Sequence, residues 1–299
     1  MKTDGNFTRA EPKPDAIAAA ARERILPLVR AGSIPVMGGF VGSTEKGITT
    51  TLGRGGGDYS ASLLGAAIHA EAIEIWTDVD GMMTADPRVV PAAKPIEEIR
   101  FDEASELASF GAKVLHPNTI APAVRVGIPV FIFNSRRPEG RGTRITFDAP
   151  RRAVTAIAGK SGVTILRIRS SRMLLAHGFL SGIFEVFARH RTAVDVVATS
   201  EVSVSVTLDD VSHLDDLVHD LSLLGDVSVE RNRAIVAIVG SDLGASSPAM
   251  ARALGALGEC KVHMLSLSAT GINLTLLVDG DALQGAMQRL HAAFFESAA

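Results

Sequence analysis

A single cysteine, Cys260, excludes an intrachain disulfide and the cysteine spacing of a zinc site. The eight histidines form no His-Glu-x-x-His pattern, so a catalytic metal ligated by the protein is not expected. A G-x-x-x-x-G-K-[ST] phosphate loop, a protein-kinase catalytic loop and a dinucleotide fingerprint are also missing, which removes three common routes to nucleotide binding. Every long apolar stretch is broken by charges such as Glu71, Glu74 or Arg125, and the opening Met1-Lys2-Thr3-Asp4-Gly5 has no signal-peptide character. A cytoplasmic protein with no membrane partner is expected. Net charge is −3 and the basic residues are scattered, as in Arg22, Arg24 and Arg30 or Arg136 and Arg137, which argues against nucleic acid as a partner.

Hydrophobic residues make up 46% of the 299, enough for a large core, and the length favours two or more domains. Up to about Asp148 the chain alternates apolar strands with helical stretches, the pattern of an α/β domain with a mainly parallel sheet. Ile34 to Phe40, Ile73 to Thr77 and Pro129 to Asn134 read as buried strands. Asp15 to Arg30, Ser60 to Ala70 and Phe101 to Gly111 read as helices. The Pro- and Arg-rich stretch Arg136 to Arg144, followed by Ala149-Pro150-Arg151-Arg152, marks a boundary.

Beyond it the order becomes strand Val163 to Arg169, helix Phe179 to His190, strands Ala193 to Val197 and Val202 to Leu208, helix His213 to Leu224 and strand Val227 to Glu230. That is a ferredoxin-like βαββαβ unit. A second round follows with strand Ala234 to Gly240, helix Ala249 to Leu257, strands Val262 to Leu267 and Ile272 to Val278, and helix Ala282 to Ala293. It lacks a last strand. The spare strand Val154 to Ala158 is expected to supply it, so that the first unit is an insertion in the second. The expected domains are therefore 1–148, 149–232 and 233–299.

Chemistry concentrates in three segments of the first half. Thr49-Thr50-Thr51-Leu52-Gly53-Arg54-Gly55-Gly56-Gly57-Asp58-Tyr59 places four glycines, a guanidinium and a carboxylate ahead of a helix, which suits anion binding by backbone amides and Arg54. Arg54 reads equally well as a brace for the turn, and Asp58 as the N-cap of the helix. In Trp76-Thr77-Asp78-Val79-Asp80-Gly81-Met82-Met83-Thr84-Ala85-Asp86-Pro87-Arg88, polar side chains gather beyond the C-terminal end of a strand, where open α/β sheets bind ligands. Ser109-Phe110-Gly111-Ala112-Lys113-Val114-Leu115-His116-Pro117 ends a helix at Gly111 with Lys113 close behind. Glu103 and Glu106, at i and i+3, read as a solvated helix face.

Together, in this order, the three segments resemble the aspartokinase family, and the resemblance covers most of the first half. It implies a kinase that converts ATP and L-aspartate to ADP and 4-phospho-L-aspartate, with Mg²⁺ entering on the nucleotide phosphates. On that resemblance Arg54 grips the substrate carboxylate, Asp58 organises the phosphoryl-transfer site and Phe40 lines the substrate pocket, while Gly57 stands where the family has a serine. The nucleotide falls to Thr77, Asp78, Met83, Lys113 and Val114, with Arg88 on its phosphates; Asp80 and Met83 replace a common proline and tyrosine.

Aspartokinases open with a Lys-Phe-Gly-Gly type strand whose lysine stabilises the transferred group. Val36-Met37-Gly38-Gly39 carries the glycines without the lysine. Loss of such a group costs roughly 10²-fold or more in rate, so this polypeptide alone is expected to be nearly inactive. A non-catalytic, amino-acid-sensing regulatory subunit is the alternative.

The tandem βαββαβ pattern resembles the paired ACT domains of aspartokinases, which implies amino-acid binding and a homodimer joined through those domains. Met173 to Leu180 links strand to helix through Gly178, and the free amides near Phe179 and Leu180 suit a carboxylate. Asp195 and Glu201 add two acids at strand ends, as a basic amino acid requires. The resemblance to lysine-sensitive aspartokinases places a lysine effector among Met173, Ala176, Phe179, Leu180, Val194, Asp195 and Glu201; threonine is the competing effector. Ala176 replaces a polar family position.

Overall fold

The computed structural model describes residues 1–110 and 119–296. These form two compact units, Met1–Pro87 with Pro91–Ala156, and Arg88–Val90 with Ile157–Ala299. Among the described residues no helix is long and apolar enough to cross a membrane.

In the first unit the expected helix Asp15 to Arg30 is two helices, α1 (Pro14–Arg24) and α2 (Leu26–Arg30), because Pro27 has no N–H to continue the ladder and instead sits in the first turn of α2. A two-stranded antiparallel ribbon follows, β1 (Val41–Ser43) and β2 (Thr49–Thr51), then α3 (Gly56–Ile68). Helices α1 and α3 share a core of Ile17, Ala21, Leu63 and Ala67, closed by Leu52.

A four-stranded mixed sheet is built from β3 (Ile73–Thr77), β4 (Glu98–Arg100), β5 (Val130–Asn134) and β6 (Thr143–Thr146), in the order β3-β5-β6-β4. Strands β3 and β5 run parallel, as do β4 and β6, and β5 and β6 are antiparallel. Helix α4 (Phe101–Ser109) follows β4 directly, and α5 (Ala121–Val126) precedes β5. Alternation along β3 and β5 buries Ile73, Ile75, Val130 and Ile132 on one face. The other carries Trp76 and Phe133, whose ring centroids lie 5.0 Å apart.

Two expectations fail here. Ile34 to Phe40 is not a buried strand: Ile34 is 90% exposed and Val36 92%, and neither lies in a ladder. Pro35 removes a donor, and the peptide groups of Phe40 are engaged elsewhere, as described below. Glu103 is not on a solvated face but fully buried. Its carboxylate accepts Thr155 Oγ1 at 2.8 Å and Arg100 N at 3.3 Å, closing a capping box at the start of α4.

The second unit is a six-stranded sheet in the order β11-β12-β10-β7-β9-β8. Its elements run β7 (Ala156–Arg169), α6 (Phe179–Arg189), β8 (Val197–Thr199), β9 (Ser203–Leu208), α7 (Leu214–Ser222), β10 (Asp226–Val239), α8 (Ser247–Ala256), β11 (Met264–Leu267), β12 (Asn273–Asp279) and α9 (Leu283–His291). The pairs β7–β9, β8–β9, β10–β12 and β11–β12 are antiparallel. Four expected strands fuse into two: the stretches near 154–158 and 163–169 join as β7, and those at 227–230 and 234–240 as β10. Positive φ at Gly162 (77°) and Asn232 (54°) lets each strand kink without leaving the sheet. The strand beginning at Ala156 therefore lies beside β10 and outside the four-stranded sheet. Helices α6 and α7 cover a core of Leu166, Ile168, Ile183, Phe187, Val206 and Leu217.

Candidate functional site

The glycine loop is locked between two apolar anchors. Leu52 is buried behind it, and Gly55, at φ 71°, turns the chain into α3 as its N-cap without any side-chain cap. Asp58 is thus not the N-cap; it sits in the first helical turn, where the positive end of the helix dipole favours an acid. A Cβ on Gly56 would come within 2.8 Å of Phe40 Cβ and 3.1 Å of Leu52 Cβ, so only glycine lets Phe40 approach. Phe40 N donates to Ser60 Oγ at 2.9 Å, Ser60 Oγ donates to Gly56 O at 2.6 Å, and Leu52 N donates to Phe40 O at 2.9 Å. These bonds hold Phe40 at φ 55°, half exposed beside the loop.

Arg54 projects into solvent and has no ion pair among the described residues, which leaves its guanidinium available to an anion. Gly57 is exposed, with open space where a side chain would stand. Asp58 is half-buried, and burial holds its carboxyl above the usual carboxylate range.

Helix α3 leads back into β3 through a short turn, with Gly65 packed against Ile73. The start of α3 and the C-terminal end of β3 therefore face the same side of the unit. At that end Thr77 Oγ1 lies 3.4 Å from Asp78 Oδ1, and Asp78 is exposed. The parallel register sets Thr77 beside Asn134, which brings a second polar group into the cluster. Ser135 donates to Thr77 O through both its N (2.8 Å) and its hydroxyl (2.9 Å). Asn134 Nδ2 and Arg137 Nη1 hold the two oxygens of Asp80 at 2.6 and 2.9 Å. Asn134, Ser135 and Arg137 are not among the site residues expected from the sequence; their signal there is a polar run immediately after an apolar strand.

Met83 is half-buried and bridges to Pro95. Arg88 belongs with Arg88–Val90 to the second unit, where Val89 O accepts Gln288 Nε2 at 2.9 Å. Lys113, Val114 and the expected cap Gly111 lie outside the described residues; α4 ends at Ser109 with Phe110 as its cap.

In the second unit Met173, Phe179 and Val194, three of the seven expected effector residues, pack against the core under α6 and α7. Gly178, at φ 77°, is the N-cap of α6 and offers no side-chain cap to the first amides, while Ala176 and Leu180 are exposed beside it. The strand expected from Ala193 starts only at Val197; ahead of it Asp195 N donates to Thr207 O, Thr207 N to Val196 O and Val196 N to Thr207 Oγ1, so two residues face one as in a bulge. Asp195 precedes β8 and Glu201 follows it in an exposed turn, so the two acids stand at opposite ends of that strand. Burial raises the Asp195 carboxyl above its ordinary value, opposed by Lys160 and reinforced by Asp209.

A glycine loop ahead of a helix and polar groups at the ends of parallel strands fall within one class: residues 3–134 match the Amino acid kinase family. Lysine-sensitive aspartokinase 3 of Escherichia coli is 44% identical over 99% of this chain and 68% of its own length. Aspartokinase 3 of Arabidopsis thaliana, chloroplastic, is 38% identical over 99% of this chain and 55% of its own. The crystal structure of E. coli aspartokinase III with aspartate and ADP superposes with a TM-score of 0.87 at 43% identity, covering 99% of this chain and 68% of that one. The chain belongs to the aspartokinase family. It spans about two thirds of the bacterial relative and little more than half of the plant one.

Proposed function

We propose that the first unit is an aspartate kinase site, transferring the γ-phosphoryl group of ATP to the β-carboxylate of L-aspartate. A carboxylate oxygen attacks phosphorus, the bond to the ADP oxygen breaks, and 4-phospho-L-aspartate and ADP form. The observation that carries this reading is the clamp of Phe40, Ser60 and Gly56, which fixes the loop and leaves Arg54 free beside an uncapped helix start. Arg54 grips the α-carboxylate, the loop amides face the anionic groups, and Phe40 walls the pocket. Asp58, half-buried in the first turn, orients the groups at the transferring phosphoryl. Thr77, Asp78, Met83, Lys113 and Val114 take the nucleotide, and Mg²⁺ accompanies its phosphates; Arg88, which belongs to the second unit, is left out of this site. Similarity to an enzyme solved with aspartate and ADP supports the same ligands here.

The chain after the boundary is read as two ACT domains, 149–232 and 233–299, with the strand from Ala156 completing the second, although residues 149–156 belong to the first compact unit. L-Lysine is the effector, held by Met173, Ala176, Phe179, Leu180, Val194, Asp195 and Glu201. It favours the state of an ACT-paired homodimer in which the kinase half is misarranged. A relative solved with lysine and aspartate in its T-state supports this effector.

One observation favours a regulatory chain instead. Ile34 and Val36 form an exposed, unpaired apolar segment, as expected of a kinase half that needs another polypeptide. An enzyme-linked ADP-release assay decides between the readings. Aspartate-dependent ADP release that disappears in Arg54→Ala supports the kinase; lysine binding with no aspartate-dependent release supports the regulatory chain.

A further inference from the structure

The segment from Thr77 to Met83 carries three of the residues assigned to the nucleotide, and the first unit fastens it from outside at three points. At its start Thr77 O accepts both the amide (2.8 Å) and the hydroxyl (2.9 Å) of Ser135. In its middle Asp80 Oδ1 accepts Asn134 Nδ2 at 2.6 Å and Asp80 Oδ2 accepts Arg137 Nη1 at 2.9 Å. Near its end Met82 N donates to Thr143 Oγ1 at 2.8 Å, and that hydroxyl donates to Ile96 O at 2.6 Å. Thr143 comes this near because Gly81 has no side chain: a Cβ there would lie 2.5 Å from Thr143 Oγ1.

Asn134 is the centre of the clamp. It is buried at the end of β5, where its Oδ1 accepts Arg136 N at 2.9 Å and its backbone O accepts Arg137 N at 3.0 Å. The two side-chain partners fix which way the amide faces, since Arg136 N can only donate and a carboxylate can only accept. An amide that served its own turn alone would need Oδ1 alone. The bond from Nδ2 to Asp80, 54 residues away in sequence, ties that turn to the loop leaving β3. Between the fastened points Asp78 and Val79 stay exposed, with Thr77 and Met83 half-buried on either side. Ligand-facing groups on a backbone already held by other bonds lose little freedom when the ligand arrives.

We propose that Asn134, together with Ser135, is a positioning residue for nucleotide binding: it sets the loop leaving β3 so that Thr77, Asp78 and Met83 meet the nucleotide at once, without itself touching it. This rests on the nucleotide reading above. The Asn134–Asp80 bond joins an amide to a carboxylate, so exchanging the two residues keeps it with donor and acceptor reversed. Asn134→Asp alone sets two carboxylates against each other at hydrogen-bond distance, and they repel.

The test is calorimetric titration of the full chain with MgADP, alongside thermal melts without ligand. The proteins are wild type, Asn134→Asp, Asn134→Asp combined with Asp80→Asn, Ser135→Ala, Ser135→Thr and Asp78→Ala. Asn134→Asp is expected to bind MgADP about tenfold more weakly, and the exchanged pair to return to within about threefold of wild type. Ser135→Ala should bind about threefold more weakly, while Ser135→Thr, which keeps the hydroxyl, matches wild type. A clamp that served only the fold would lower the melting temperature and leave the MgADP affinity of the folded protein unchanged. That result, or an exchanged pair no better than Asn134→Asp, overturns the positioning role; if MgADP binding is still lost in Asp78→Ala, the nucleotide reading survives. Should Asn134→Asp fail to fold, the two Ser135 variants decide in the same way. MgADP binding indifferent to every variant, or absent from all six proteins, overturns both.

Discussion

Phe40 and Ser60 are joined by a 2.9 Å hydrogen bond from the Phe40 amide to the Ser60 hydroxyl, twenty residues apart in sequence. The same hydroxyl donates to Gly56 O, so one buried side chain ties Phe40 to the first turn of α3. Ser60→Ala leaves both backbone groups without that partner. It should cost about 1–2 kcal/mol in urea unfolding and weaken L-aspartate binding, since the loop loses its fixed position.

Neighbouring glycines should respond in opposite ways. Gly56→Ala drives a methyl into Phe40 and Leu52 and should destabilise by about 1–3 kcal/mol. Gly57→Ser meets open space and should stay within about 0.5 kcal/mol of wild type. It also restores a hydroxyl beside Arg54, so L-aspartate should bind more tightly. Urea midpoints and aspartate titrations check both.

Asp58 gives a prediction whose sign depends on pH. Its folded carboxyl is held above the ordinary value by burial, so its contribution to stability is fully present below the unfolded value and is lost as pH rises through the folded one. Asp58→Asn removes the buried charge. The variant should be more stable than wild type at neutral pH, with the difference vanishing in acid where Asp58 is itself neutral. Phosphoryl transfer should be lost at every pH. Thermal melts across a pH series read the first effect.

How much of this was legible in the sequence differs from residue to residue. The polar end of β3 was, because the chain changes from apolar to polar after Thr77 at a strand end. Asn134, Ser135 and Arg137 were not, because their place follows from the parallel register of β5 with β3. Ile34 to Phe40 has the composition of a buried strand, but composition does not say whether a neighbour is there to pair with it. The joints of β7 and β10 read as breaks, since Gly162 and Asn232 look like turn residues until the ladder is seen to continue through them.

The second unit should weaken in acid through a network that spans its strands. Arg167 binds Glu230 (2.8 Å), Ser205 (3.2 Å) and His263 O (2.9 Å), and His263 Nε2 lies 2.9 Å from Asp279. Arg167 holds the Glu230 carboxyl below its usual range, and His263 does the same for Asp279. Lowered folded values mean stability that is present above the unfolded pKa and lost as pH falls through the folded one. Arg167→Met should cost about 1–2 kcal/mol at neutral pH. The loss should shrink in acid, as read by denaturant midpoints at a series of pH values.

Calorimetric titration of L-aspartate in the presence of MgADP, with wild type and Arg54→Ala, tests the assignment of the glycine loop most directly, because it does not depend on turnover. Loss of a two-pronged guanidinium–carboxylate contact should weaken aspartate binding by at least about tenfold while leaving MgADP binding unchanged. Equal aspartate affinity in the two proteins would contradict the account.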